Sequence, residues 1–179
     1  ELKKESMQIL KEKSRAKSQI TFDEDFNVPD AKPDAGRLIQ NKGRIIMDDV
    51  RLTDGKGILT GNLQVDILYV GEERGIVSSL TAKLPFEETL NLKDIINGDK
   101  MCLKWEIEDL TIRLIHSRKL NIKALVTFCV TVDETEQIRL PVALDAEEVS
   151  VRKKTVRFLG LTVHKKDTLR IKDEYTIAS

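Results

Sequence analysis

The chain has 179 residues, and its 30 Lys and Arg residues balance 30 Asp and Glu residues. A formal net charge of zero argues against a general polyanion binder, whose affinity would rest on an excess of cationic side chains. A mass of 20.4 kDa suits a domain with a self-sufficient core, and no apolar run approaches the roughly 18 residues of a membrane span or resembles a signal peptide.

The beginning of the chain predicts one strand and one short helix. Residues 2–17 carry apolar side chains that fit a helix and a strand about equally badly, whereas 19–28 has the alternation of a strand. Pro33 suits the first position of a helix because its missing N–H is not needed there. Residues 33–40 are therefore expected to form a short helix of about two turns.

From residue 42 to 134 the dominant pattern is period-two alternation of apolar and polar residues, which is typical of antiparallel strands. An Asp-Gly turn at 54–55 joins strand 42–52 to strand 57–70 in a hairpin. The second of these strands carries one apolar face, made of Leu59, Leu63, Val65, Ile67 and Tyr69.

A second hairpin turns at 71–75 and continues into strand 76–84, where Ile76, Leu80, Ala82 and Leu84 share a face. Pro85 then lacks the N–H that a ladder needs. This strand should therefore bend at Pro85 or lie at the edge of its sheet.

A third hairpin joins 100–116 to 120–132, with 117–119 as the turn. The second strand alternates without interruption, but the apolar phase of the first strand changes midway. One extra residue near Glu108 and Asp109, a β-bulge, reconciles the two halves.

This register places Val130 opposite Trp105, in the core, where Trp105→Ala should cost about 3–5 kcal/mol. The sulfurs of Cys102 and Cys129 then lie about 13 Å apart at the rise of a strand. That separation forbids a disulfide. Together the hairpins and strand 19–28 predict an all-β fold, an antiparallel sandwich or open barrel with one short helix.

Internal sequence similarity between the two ends of the chain predicts a repeat. Residues 1–30 align with 150–179 without a gap, and the alignment has three identities surrounded by conservative matches. Identical pairs are Lys4/Lys153, Leu10/Leu159 and Lys17/Lys166; conservative pairs include Leu2/Val151, Lys3/Arg152 and Met7/Val156. We therefore expect a domain at 1–134, a linker at 135–149, and at 150–179 the start of a second, truncated repeat.

No arrangement of residues predicts catalysis, a metal site or a cofactor. Asp23-x-Asp25-x-Asn27 begins like a calcium loop, but Val28 stands where that loop needs Gly. Neither histidine, His116 or His164, has a partner at metal-ligand spacing. Neither cysteine has a nearby base in sequence, and no Gly-rich phosphate loop occurs.

Two segments near the end of the chain have opposite charge. Residues 133–148 hold six acids against one Arg, and 151–172 hold eight Lys and Arg against one Asp. A solvated face or a complementary contact between successive repeats explains this better than a nucleic-acid surface, which the neighbouring acids would oppose.

The most distinctive segment is the loop at 28–34, in which Pro29 and Pro33 stand four apart. One interpretation is a structural turn in which Asp30 or Asp34 bonds nearby backbone N–H groups. The other is a preorganised protein contact, because a rigid loop loses little entropy on binding.

The same loop, as Val28-Pro29-Asp30-Ala31-Lys32-Pro33-Asp34, resembles the V-P-D-x-x-P-D signature of the SPOCS domain family. Three later stretches resemble that family's motifs in the right order. These are Gly61-Asn62-Leu63-Gln64-Val65-Asp66-Ile67-Leu68-Tyr69-Val70, Leu84-Pro85-Phe86 and Ser117-Arg118-Lys119-Leu120-Asn121-Ile122-Lys123-Ala124. The similarity covers roughly residues 1–134.

In this family such domains occur in tandem, often ahead of a peptidoglycan-binding LysM module, in spore-forming bacteria. The resemblance implies a non-enzymatic scaffold of the spore coat or cell envelope that binds another protein, on the mother-cell side of the cytoplasm or at the spore surface. The alternative is a domain that binds or processes cell-wall glycan. Self-association is a further expectation, whereas nucleic acid is not an expected partner. The residues that the resemblance marks as a possible interaction loop are Val28, Pro29, Asp30, Lys32, Pro33 and Asp34.

Overall fold

A computed structural model describes residues 1–53, 55–73, 75–96, 99–145 and 150–157. The secondary structure of this part of the chain consists of strands. Their bounds are β1 Leu2–Asn27, β2 Ala35–Thr53, β3 Lys56–Gly71, β4 Val77–Asn91, β5 Lys100–His116 and β6 Lys119–Leu144. Among these residues there is no helix of the length and apolar character needed to cross a membrane.

The strands form two antiparallel sheets of three strands each. One sheet has the order β2-β3-β4 and the other β1-β6-β5. Side chains from both sheets share one hydrophobic core, so the fold is a β-sandwich, within the predicted all-β class. The strand with Pro85, β4, was predicted to bend at the proline or to lie at the edge of its sheet. It lies at the edge and continues through the proline.

The two central strands supply most of the core. On β3 the predicted apolar face is buried in full, and Leu59, Leu63, Val65 and Tyr69 are 0% exposed. The predicted face of β6 is buried as well: Leu120, Ile122, Ala124, Val126, Phe128, Val130 and Val132. Alternation on these strands was sufficient to identify the core because each is flanked by a partner on both sides.

Three aromatic rings join the two sheets inside the core. Phe86 of β4 lies 6.3 Å from Phe22 of β1 in an edge-on arrangement, and 5.2 Å from Phe128 of β6. Gly61 of β3 pairs with Phe86, and a Cβ atom there would lie 2.9 Å from the ring and would overlap the carbonyl oxygen of Ile46. A glycine at this position therefore makes room for the ring that links the sheets.

The helix predicted at 33–40 is absent, and β2 begins at Ala35 instead. Its first residues contain two register shifts against β3, between Ala35 and Arg37 and between Leu38 and Gln40. Each shift inserts one extra residue and so removes the period-two alternation from this segment. The prediction was wrong because a strand with two bulges has no clear strand pattern.

The third hairpin confirms the bulge but corrects the register. The ladder shifts between Ile107 and Asp109, as expected. Trp105, however, pairs with Phe128 rather than with Val130, because the turn has two residues and a second shift lies between Leu114 and His116. A slip of two residues leaves every side chain on its predicted face, so alternation could not reveal the error.

Trp105 itself is 41% exposed, so its prediction as a large core residue was wrong. It points to the same face as the fully buried Phe128, its direct partner. The difference arises because β5 is an edge strand, and the sandwich covers an edge less completely than its centre.

The chain divides into two compact units. One comprises residues 11–134, and the other comprises 1–10 with 135–179. The segment 135–144, expected to belong to a linker, is the last part of β6. Of the expected second repeat, 150–157 is described without regular structure and 158–179 lies outside the described residues, so the repeat remains a prediction.

Candidate functional site

The loop from Val28 to Asp34, called the proline loop below, connects β1 to β2. The amide of Lys32 donates to the carbonyl of Pro29 at 2.9 Å, which closes a turn whose central residues are Asp30 and Ala31. The two prolines fix the backbone on either side of this turn. The tip of the loop is therefore a small, rigid projection.

Arg118 holds this loop from the opposite side. It lies in the turn between β5 and β6, and its guanidinium makes four contacts with the loop. Nη1 donates to the carbonyl of Lys32 and to the carboxylate of Asp34, both at 2.9 Å. Nη2 donates to the carbonyl of Val28 at 3.0 Å and to the carboxylate of Asp30 at 3.1 Å. We call this set of contacts the Arg118 clasp.

An arginine suits this position better than a lysine would. The planar guanidinium presents several N–H donors in a fixed fork, which here meets two backbone carbonyls and two carboxylates at once. A lysine would carry the same charge but could not reproduce this fork. The clasp therefore fixes the geometry of the loop as well as neutralising part of its charge.

Backbone bonds attach both ends of the loop to the same turn. The amide of Val28 donates to the carbonyl of Arg118 at 2.9 Å, and that of Ala35 donates to the carbonyl of Ser117 at 2.7 Å. The hydroxyl of buried Tyr69 donates to the carbonyl of Pro33 at 2.9 Å. Three of the four family-like stretches thus meet at this loop.

The six residues expected to form an interaction loop differ in exposure. Val28 is buried, with 3% of its surface exposed, and Lys32 and Pro33 are half-buried. Pro29, Asp30 and Asp34 are exposed. The tip and the acidic side chains are therefore open to solvent, whereas Val28 anchors the loop in the core.

Within the described part of the chain, the side chains of Asp30 and Asp34 bond to other side chains rather than to the backbone N–H groups expected of a turn. Their carboxylates accept hydrogen bonds from Arg118, and Asp34 accepts a further one from the hydroxyl of Ser117 at 3.4 Å. The role of Arg118 could not be derived from local spacing, because 84 positions separate it from Asp34. The available signal was the joint presence of the two family-like stretches.

The residues before the loop belong to a polar network on β1. The carboxylates of Asp23 and Asp25 both accept hydrogen bonds from the side-chain amide Nδ2 of Asn121, at 2.9 and 3.0 Å. Lys123 lies 2.8 Å from Asp23, and Lys119 lies 2.7 Å from Asp25. These hydrogen bonds from the two lysines, with those from Asn121, lower the pKa of both aspartates below their ordinary value. The calcium-like pattern is thus part of a strand whose carboxylates face cations.

The remaining candidate residues that the structure describes do not converge on a site. Cys102 and Cys129 are both free thiols, paired across the strands with Thr131 and Lys104. The imidazole Nδ1 of His116 accepts a hydrogen bond from the amide of Arg118 at 3.2 Å, so this histidine supports the turn. His164 lies outside the described residues.

Comparison with protein families gives a match over part of the chain. The family model described as "SipL, SPOCS domain" matches residues 34–115. No curated protein and no solved structure matches the chain. The match begins at Asp34 in the proline loop, includes β2 to β4 and ends within β5, one residue before His116. The family model thus supports, over residues 34–115, the resemblance to the SPOCS domain family that the sequence motifs indicate.

Proposed function

We propose that this chain is a non-enzymatic protein-interaction module that serves as a scaffold in the assembly of the spore coat or cell envelope. Its place of action would be the mother-cell side of the cytoplasm or the spore surface. The observation that carries the proposal is the proline loop, which the Arg118 clasp holds while its tip remains exposed.

Rigidity is what makes this loop suitable for binding. A flexible loop loses conformational entropy when a partner orders it, and this loss weakens the complex. Here two prolines, a closed turn and a four-contact clasp have ordered the backbone before any partner arrives. The exposed part, Pro29 to Ala31, can then contact a partner at small entropic cost.

The chemistry of the tip suits a protein surface. Asp30 pairs with Arg118 and yet its side chain is fully open to solvent, so it can still accept hydrogen bonds from a partner. Pro29 and Ala31 beside it add a small apolar contact. The family resemblance supports the same proposal, because it implies a domain that acts by binding other proteins.

The proposal is tested by affinity capture from an extract of sporulating cells, with the full chain as bait. Ala31→Arg adds a large charged side chain at the exposed tip without removing any clasp contact. Ser79→Arg adds the same side chain at an exposed position on β4 and is the matched control. Binding that the first variant abolishes and the second retains would support the proposal.

The opposite result has two forms. If Ala31→Arg retains every partner, the loop is not the contact. If the chain instead binds purified peptidoglycan and captures no protein, the glycan-binding alternative replaces the scaffold.

A further inference from the structure

We propose that a groove at the end of β6 is a self-association surface, which binds the same groove on a second copy of this chain. The groove has a volume of about 720 Å³ and belongs to the unit formed by residues 1–10 and 135–179. This inference is independent of the proposed function, because it uses no residue of the proline loop.

The first observation is a second apolar run on β6. The buried run of this strand ends at Val132, and Glu134 and Glu136 interrupt the pattern. The same alternating row then continues as Ile138, Leu140, Val142 and Leu144. In contrast to the first run, Val142 and Leu144 are 40% and 39% exposed. The apolar row of β6 is therefore only partly covered at this end of the strand.

The second observation is that residues from both halves of the internal alignment, 1–30 and 150–179, line this groove. Leu2 and Met7 line it together with Val151 and Val156. These are the pairs that the alignment of 1–30 with 150–179 places together, Leu2 with Val151 and Met7 with Val156. The groove is thus built from two versions of one short pattern around the end of β6. A second copy would present the same pattern again, which is what a self-complementary interface requires.

The third observation concerns the backbone of β6. Its pairing with β5 ends at Asp133, and the tail beyond it runs beside β1, with the amide of Asp145 donating to the carbonyl of Glu1 at 2.9 Å. Pro141 in this tail lacks an N–H, as is usual at a sheet edge. A two-stranded ribbon is marginally stable by itself in water. Association with a second ribbon would cover its apolar side chains.

The charges around the groove favour a second copy as the occupant. Arg152, Lys153 and Lys154 line it. Among the residues that the structure describes, the end of β6 and the residue after it carry Asp133, Glu134, Glu136 and Asp145 against Arg139. In a twofold arrangement the basic segment of each chain can meet the acidic segment of the other. A neutral chain that carries both segments is therefore complementary to itself.

Sedimentation of the full chain over a series of concentrations tests this inference. We expect a monomer–dimer equilibrium that weakens at high salt. Val156→Glu should raise the dissociation constant about tenfold or more, because the interface would bury an unpaired charge. Val77→Glu is the matched control, since Val77 is 57% exposed on β4 and Val156 is 56% exposed. The control should dimerise like the wild type.

A charge-reversed variant separates a loss of dimer from a loss of folding, because it changes no apolar side chain. Lys153→Glu keeps the apolar lining but should also weaken the dimer, whereas Ala31→Arg at the proline loop should not change it. A wild-type chain that stays monomeric at every concentration overturns the inference. So does a dimer that Val77→Glu weakens as much as Val156→Glu. Neither result bears on the proline loop, whose test is partner capture.

Discussion

Arg118 donates a hydrogen bond to the carboxylate of Asp34 at 2.9 Å across 84 positions of the sequence. This contact joins two stretches that resemble motifs of one family, and it gives each of the two side chains a physical role. The aspartate accepts, the arginine donates, and the same guanidinium also satisfies the carbonyls of Val28 and Lys32. One side chain thus determines the shape of the loop.

Removal of this side chain should destabilise the protein. Arg118→Ala is expected to lower the free energy of unfolding by about 2 kcal/mol, since charge-assisted hydrogen bonds are lost and two carbonyls lose their partner. Arg118→Lys should recover less than half of this loss, because it restores the charge without the fork. Chemical denaturation measures both values. Arg113→Ala at an exposed position on β5 is the control; an equal loss there would show that the clasp has no special role.

The packing of Gly61 against the ring of Phe86, which joins the two sheets, gives a second prediction. Gly61→Ala should cost about 1–3 kcal/mol, because the new methyl group would meet the backbone of β2 and the ring of Phe86. Gly43→Ala is the control, since its methyl group would meet only the ends of Leu and Ile side chains, which can move. Thermal unfolding of both variants measures the difference. Equal effects would contradict the packing described for Gly61.

The paired aromatic residues on β5 and β6 should respond unequally. Phe128→Ala is expected to cost about 3–5 kcal/mol as a large-to-small change in the core. Trp105→Ala, at a position 41% exposed, should cost less than half of that. Urea denaturation of the two variants provides the comparison. A larger loss for Trp105 would place the centre of the core at β5.

The polar network on β1 predicts how stability depends on pH. Lys123 and Lys119 hold the pKa of Asp23 and Asp25 below the ordinary value of 3.8. A carboxyl with a lowered folded-state pKa stabilises the fold fully above its unfolded pKa, and this contribution is lost as the pH falls through the folded-state value. The destabilisation caused by Asp23→Asn with Asp25→Asn should therefore be largest near neutral pH and shrink as the solution is acidified below 3.8.

Denaturation at a series of pH values measures this change. Glu24→Gln, at an exposed carboxylate on the same strand, is the control. A destabilisation of the double variant that stays constant down to low pH would show that the two carboxylates stabilise the fold by something other than their charge.

Much of the fold could be predicted from the sequence, because period-two alternation is strong wherever a strand has partners on both sides. This holds for β3 and β6, whose predicted faces are buried in full. The pattern failed at Ala35 to Gln40, where two bulges remove the alternation. It also failed for the register of β5, since a slip of two residues keeps every side chain on its face.

The candidate site was predicted only in part, for a different reason. The prolines and aspartates of the loop stand together in the sequence, so they could be recognised as a rigid turn. Arg118 lies in another hairpin, and no local rule connects it to the loop. A residue that acts through a long-range contact becomes apparent only when the two sheets are assembled.

Hydrogen exchange at single residues tests the central claim most directly. In the wild-type chain the amides of Val28, Lys32 and Ala35 should be protected, because each donates to a backbone carbonyl in or beside the loop. Arg118→Ala should remove the protection of the Lys32 amide while amides in the middle of β3 stay protected. If the three loop amides exchange as fast in the wild type as in an unfolded peptide, the loop is not held, and its role as a preorganised contact is contradicted.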